Sequence, residues 1–233
     1  MSYNEEYKKL VEHILVNGIW QEGRNGNTLV VPNYSFTIDN MEEDWRLKLR
    51  KLYIKGIYGE FLTLIDPTPL TNVSQFEANE CNYWKLWAKE DGSINVDYHN
   101  MLQPRLSNLI HEINTDPSSR RHIINLWDQN HVDSGELSLA CCWHNLTFSV
   151  IAGTLHLTWT QRSVDTMIGL PSDVYLAHLF MQYIATMCNL KIGSCMFSLS
   201  NTHIYEEHIS GAKELLTRTE ADYDKKLSFE LKA

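Results

Sequence analysis

The segment HNLTFSVIAGTLHLTWTQRS sets the strongest constraint on how this chain folds. Leu146, Phe148 and Val150, then Leu155, Leu157 and Trp159, recur at every second position on either side of Ala152-Gly153. Side chains at that period share one face of a strand, and a short link containing glycine joins antiparallel neighbours, so the run predicts a β-hairpin with an apolar face. An apolar sheet face needs cover. Residues 173–190, DVYLAHLFMQYIATMCNL, are apolar around nearly the whole helical circumference, which is the pattern of a central buried helix.

The remaining elements follow from similar patterns. Tyr7, Leu10, Val11, Ile14 and Leu15 predict an amphipathic helix over 5–18 stopped by Gly18. After the polar turn EGRNGN, residues 28–38 read as a strand that Pro32 confines to an edge or interrupts. A helix is expected over 45–64, turns and short helices over 65–80, and a helix in QPRLSNLIHEINTDP that ends before Pro117. RHIINLW predicts a buried strand, 193–201 another strand and 203–217 a helix. A large sheet with segregated helices is an α+β architecture, expected as one domain over residues 1–233.

Composition narrows the function. No stretch approaches the ~20 apolar residues that span a bilayer, and MSYNEEYKKL has no apolar signal-peptide core, so a cytoplasmic protein without a membrane is expected. A net charge of −9 disfavours direct nucleic-acid binding, which needs clustered cations. The five cysteines lack metal-type spacing, so no metal is expected and at least one thiol is free for chemistry. Cys142, in LACCWH, gains interest from Arg162 in the following strand, because a nearby guanidinium stabilises a thiolate. Cys141 is its internal control, since neighbouring residues of an extended chain face opposite ways.

The run QRSVDTMIGLPSD, residues 161–173, following LACCWH without a gap resembles the thymidylate synthase family, whose pattern is P-C-H and then Q-R-S-x-D-x-x-L-G-x-P-F-N. NTHIYEEH is similar to that family's D-T-H-x-Y-x-x-H, and the likeness extends back through DPSSRRHIINLW, CNYWKLWAKE, GIYGEFL and EGRNGN. It implies a large mixed sheet with packed helices and a sheet face forming the interface of a homodimer. It further implies Cys142 as the nucleophile on pyrimidine C6, Glu60 as an acid/base acting through water, and Tyr98 beside the nucleophile. Arg24, Arg162 and Ser163 match phosphate ligands, and Arg120 and Arg121 a pair given across the dimer. His203 and Tyr205 match the sugar-hydroxyl pair; Asp165, Gly169, Trp84 and Trp87 match the side that receives 5,10-methylenetetrahydrofolate, the expected cosubstrate.

Asp173 departs from the pattern, standing where the family has asparagine. An amide reads uracil, whose O4 accepts and whose N3 donates; cytosine presents the reverse edge. A carboxyl that takes the 4-amino proton and shares a proton with N3 suits cytosine, and an aspartate here resembles the phage deoxycytidylate hydroxymethylases. Taken alone, Asp173 also fits a helix N-cap. Trp143 and Thr147 replace a histidine and a glutamine, Ser172 replaces a phenylalanine, and DKKLSFELKA lacks an apolar tail, which predicts a more open folate side and a rebuilt water network. The expected reaction is 5-hydroxymethylation of dCMP. Its alternatives are 5-methylation of dCMP and, behind that, thymidylate synthesis from dUMP or a silent nucleotide-binding protein.

Overall fold

Ser2 and Glu5 form a capping box, each side chain accepting from the other's backbone amide, and this starts α1 (Tyr3–Asn17) two residues earlier than its apolar spacing predicts. The structure, a computed structural model, describes residues 2–23 and 25–231. Tyr7, Leu10, Val11 and Ile14 bury the inner face of α1 against the sheet.

β1 (Ile19–Gly23) and β2 (Gly26–Ile38) form a hairpin where a polar turn alone was expected. β1 pairs β2 only as far as Val30, so Pro32 sits where that edge is open and its missing N–H costs no ladder bond. The helix expected over 45–64 forms only as α2 (Ile54–Ile65). Its first half alternates instead: Trp45, Leu47 and Leu49 are buried while Arg46 is exposed, and Trp45 stacks on Tyr175 and His178 at 4.3 and 4.4 Å. Leucines two apart mark an extended chain, and there that period overrides the helical propensity of the charged residues between them.

α3 (Ser74–Ala78), a 3-10 turn over Tyr83–Trp87, α4 (Asp97–Asn100) and α5 (Gln103–Thr115) follow, with α5 ending before Pro117. β3 (Ile123–Asn125) and α6 (Gln129–Ser134) lead into β4 (Trp143–Ile151) and β5 (Thr154–Gln161). These two strands are the hairpin, turned by Ala152 and Gly153 at φ 50° and 75°, the positive pair that a type I′ link requires.

β6 (Val164–Asp165), α7 (Gly169–Cys188), β7 (Lys191–Tyr205) and α8 (Ile209–Thr217) complete the order. α7 begins four residues before Asp173, and β7 runs on through His203 and Tyr205, which were expected in a helix. The sheet order is β1-β2-β7-β5-β4-β3, with β6 added beside the end of β7; β7 is parallel to β5 and β6 and all other pairs are antiparallel. One face carries the core and the helices. The other is lined by Ser35, Thr37, Thr147, Ser149, Thr158, Thr160 and Ser198, half-buried or exposed and uncovered within the chain. Among the described residues no helix is long and apolar enough to cross a membrane.

Candidate active site

β7 organises the site. β5 leaves it after Gln161 pairs Leu199, and the chain rejoins it as β6, where Asp165 pairs His203. Arg162 and Ser163 are the two residues released between Gln161 and Val164, which pairs Thr202, so the sheet itself projects them. Opposite this gap Asn201 takes φ 39°.

Arg162 holds the segment that carries the nucleophile candidate. Its Nε donates to Cys141 O at 2.8 Å, its Nη2 to Ala140 O at 3.0 Å and its backbone N–H to Cys142 O at 2.9 Å, while its guanidinium lies 5.3 Å from the Trp127 ring. From the other side the Cys142 amide donates to Tyr98 Oη at 2.5 Å. Tyr98 is buried and packs 4.5 Å from Trp143, which also contacts Trp159 at 4.6 Å. Trp143 thus ties Tyr98 to the aromatic core of the sheet. Cys142 is half-buried and Cys141 buried, as the opposed directions of neighbouring residues require. Burial and the nearby Asp173 push the Cys142 thiol up from its ordinary range, and Arg162 pulls it down.

Glu60 enters from α2. Gly59 beside it allows a close approach, since a Cβ there would lie 1.8 Å from Asn79 O. Trp84 Nε1 donates to Glu60 Oε1 at 2.7 Å and Tyr83 Oη to Oε2 at 2.5 Å. Burial raises the carboxyl to about 7 against these two donors. Trp87 is half-buried, 5.4 Å from Trp84. Tyr83 was not anticipated from the sequence; one tyrosine beside two tryptophans gives no signal until the 3-10 turn points it back at α2.

Asp173 lies within the second turn of α7, so it is not a cap. Gln161 Nε2 donates to its Oδ2 at 2.6 Å, and Trp159 Nε1 donates to Gln161 Oε1 at 3.1 Å. Indole is a donor only, which fixes the Gln161 amide with its NH₂ toward Asp173. Burial, then Glu60 and Asp165, push the Asp173 carboxyl well above the usual carboxylate range, opposed by Gln161. Gly169 lies between two of these acids: its missing Cβ would stand 3.7 Å from Asp165 Cβ and 3.8 Å from Asp173 Oδ2. Asp165 uses Oδ1 to accept from the Met167 and Ile168 amides, leaving Oδ2 without a partner among the described residues.

His203 is buried with Nδ1 at 2.9 Å from Asn201 O, and Tyr205 meets it edge-on at 5.3 Å. Ser163 is half-buried. Arg120 and Arg121 are exposed in the turn before β3, and no side-chain hydrogen bond joins them to this cluster. Arg24 lies outside the described residues. Thr147 alternates with the buried Leu146 and Phe148 and so points to the open face of the sheet, where its hydroxyl donates to Asn145 Oδ1 at 3.0 Å. On the flank beyond Ile168, residues 227–230 fold back against the body of the chain. Leu227 is buried, Phe229 lies 4.4 Å from His208, and Glu230 pairs with Arg50, which also donates to Met167 O at 2.5 Å. Ser228, Phe229 and Glu230 line an open cleft of about 550 Å³ with Ile168, Glu207, His208 and Ser210.

A half-buried thiol beside an arginine, a carboxyl raised to about 7 and a carboxyl with a fixed orientation are together suited to covalent addition coupled to proton transfer. Comparison with known proteins identifies the family. The thymidylate synthase family pattern matches residues 5–232. The thermostable thymidylate synthase A from Bacillus subtilis is similar over 94% of this chain and 85% of its own, with a TM-score of 0.86 and 25% identity. The chain belongs to the thymidylate synthase family, whose members are folate-dependent one-carbon transferases.

Proposed function

We propose that the chain is a deoxycytidylate 5-hydroxymethyltransferase, one catalytic domain over residues 1–233 that works as a homodimer in the cytoplasm. Asp173 carries this reading: a half-buried carboxyl, raised toward its neutral form, stands where the family's amide reads uracil. A carboxyl that holds a proton offers cytosine both an acceptor for its 4-amino group and a proton for N3. That proton draws electrons from the ring and favours addition at C6.

In this reading Cys142 Sγ bonds to C6, and the displaced electron pair makes C5 the nucleophile. 5,10-Methylenetetrahydrofolate supplies the carbon that C5 takes. C5 loses its proton as the folate nitrogen departs with the bonding pair, that nitrogen ending with the proton; water then adds to the new carbon while its proton passes to Glu60. Sγ then leaves with its bonding pair and restores the C5–C6 double bond. Arg162 and Ser163, with Arg24, hold phosphate; Arg120 and Arg121, exposed and without side-chain partners, are suited to reach the phosphate of a second copy. His203 and Tyr205 hold the sugar hydroxyl. Asp165 fits the folate side, because its free Oδ2 accepts a ring N–H, and Gly169, Trp84 and Trp87 border that side. Ser172, in place of a phenylalanine, leaves room for water.

Incubation with methylenetetrahydrofolate and either dCMP or dUMP, followed by mass analysis of the nucleotide and detection of dihydrofolate, tests the proposal. Hydroxymethyl-dCMP without dihydrofolate is expected. A methylated cytosine with dihydrofolate would establish the reductive alternative instead, and turnover of dUMP alone would return Asp173 to a structural role. For the dimer, mixing inactive Cys142→Ser and Arg121→Ala proteins should regain activity if each site takes an arginine from its partner.

A further inference from the structure

Both oxygens of Glu60 are engaged by consecutive residues of one short element. Trp84 Nε1 donates to Oε1 at 2.7 Å and Tyr83 Oη to Oε2 at 2.5 Å. The tyrosine hydroxyl has another neighbour, Gly56 O, at 3.4 Å, too long to compete for the single proton. Trp84 is itself fixed, stacked on Phe76 at 5.0 Å and edge-on to Tyr98 at 5.9 Å, so the turn is a rigid base for both donors. Trp84 is buried, whereas Tyr83 is half-buried at the outer end of this array.

We propose that Tyr83 is a positioning residue for Glu60: its hydroxyl anchors Oε2 and fixes the direction in which the carboxylate meets the reacting water. The proposal rests on the reading of Glu60 as the acceptor of that water's proton. A carboxylate held by the indole alone is free to rotate about the Oε1 contact, and a proton acceptor works only within hydrogen-bond reach of the proton it takes. The same bond favours the ionised carboxylate, because a hydroxyl donor stabilises negative charge.

The titratable groups facing Glu60 are Tyr83 and Cys81 from the 81–87 segment and Asp173 from α7. Burial pushes Cys81 up to about 12 and Tyr83 far above its ordinary range, so both stay protonated at neutral pH. Asp173 is pushed up as well. Glu60, at about 7, changes charge near neutrality, with Tyr83 and Trp84 as the donors that favour its ionised form.

Infrared titration of the ligand-free full-length protein tests this, with the Glu60 carboxyl band assigned by its loss in Glu60→Gln. Tyr83→Phe should raise the midpoint by roughly one to two pH units, the equivalent of one charge-assisted hydrogen bond. Tyr83→Leu should give the same shift, which separates loss of the donor from loss of the ring. In turnover, the acid limb of kcat should move up in parallel while KM for dCMP holds. An unchanged midpoint in both variants would overturn the proposal. The titration involves no substrate, so a different product would refute the hydroxymethyl reading while leaving this measurement to stand on its own.

Discussion

Replacing Asp173 with asparagine tests the base-reading argument most directly. Trp159 fixes the Gln161 amide so that its NH₂ meets residue 173. An asparagine must then turn its carbonyl toward Gln161 and its own NH₂ into the position of Asp173 Oδ1. The 4-amino group of cytosine would face a donor, whereas O4 of uracil would gain one. Leaving one buried polar group opposed in this way costs roughly 1–3 kcal/mol. That is a loss of about 5- to 150-fold in kcat/KM for dCMP, with a gain for dUMP. Steady-state assays of both nucleotides with methylenetetrahydrofolate measure the ratio. A folded Asp173→Asn protein with an unchanged preference would refute the argument and place base reading on another residue.

The same substitution has a stability signature. Below about pH 3.9, the ordinary aspartate pKa, both states of the protein bind the proton and ionisation contributes nothing. As pH rises the unfolded chain ionises first while the raised carboxyl keeps its proton, so wild-type folding is increasingly opposed; Asp173→Asn should gain in Tm toward neutral pH and show no gain in acid. Cys142→Ser should abolish the covalent adduct with 5-fluoro-dCMP, read by intact mass, with Tm unchanged. Arg162→Met removes the charge that lowers the Cys142 thiol, so the pH midpoint of its alkylation should rise; a fall would refute Arg162 as the stabilising group. Gly59→Ala should destabilise by about 1–3 kcal/mol or more in urea unfolding, because a Cβ 1.8 Å from a backbone oxygen forces α2 away from Asn79.

The hairpin and the buried helix were legible because their periods are long and clean. The 45–53 segment was not, since Leu47 and Leu49 define a period of two over too few residues to outweigh the charged helix formers beside them. At the site, Cys142, Glu60, Tyr98 and Asp173 converge although they come from four separate parts of the chain. What sequence could not supply is the set of groups that hold them. Tyr83 matters because a 3-10 turn returns it to α2, and Gln161 because an indole N–H fixes its amide. Arg50 matters because the 227–230 segment folds back to it. Each depends on a tertiary contact that has no local pattern.

The Trp159–Gln161 pair also bears on how such a site changes over generations. It asks residue 173 only for an oxygen, which aspartate and asparagine both provide. Their codons differ by one transition, so a single mutation can exchange the residue that faces the base in the proposed reading while leaving its supporting bond and α7 intact. In that reading substrate choice is uncoupled from foldability. A lineage can move between nucleotides without passing through an unfolded ancestor, and a genetic selection for growth on the alternative nucleotide should recover that exchange first.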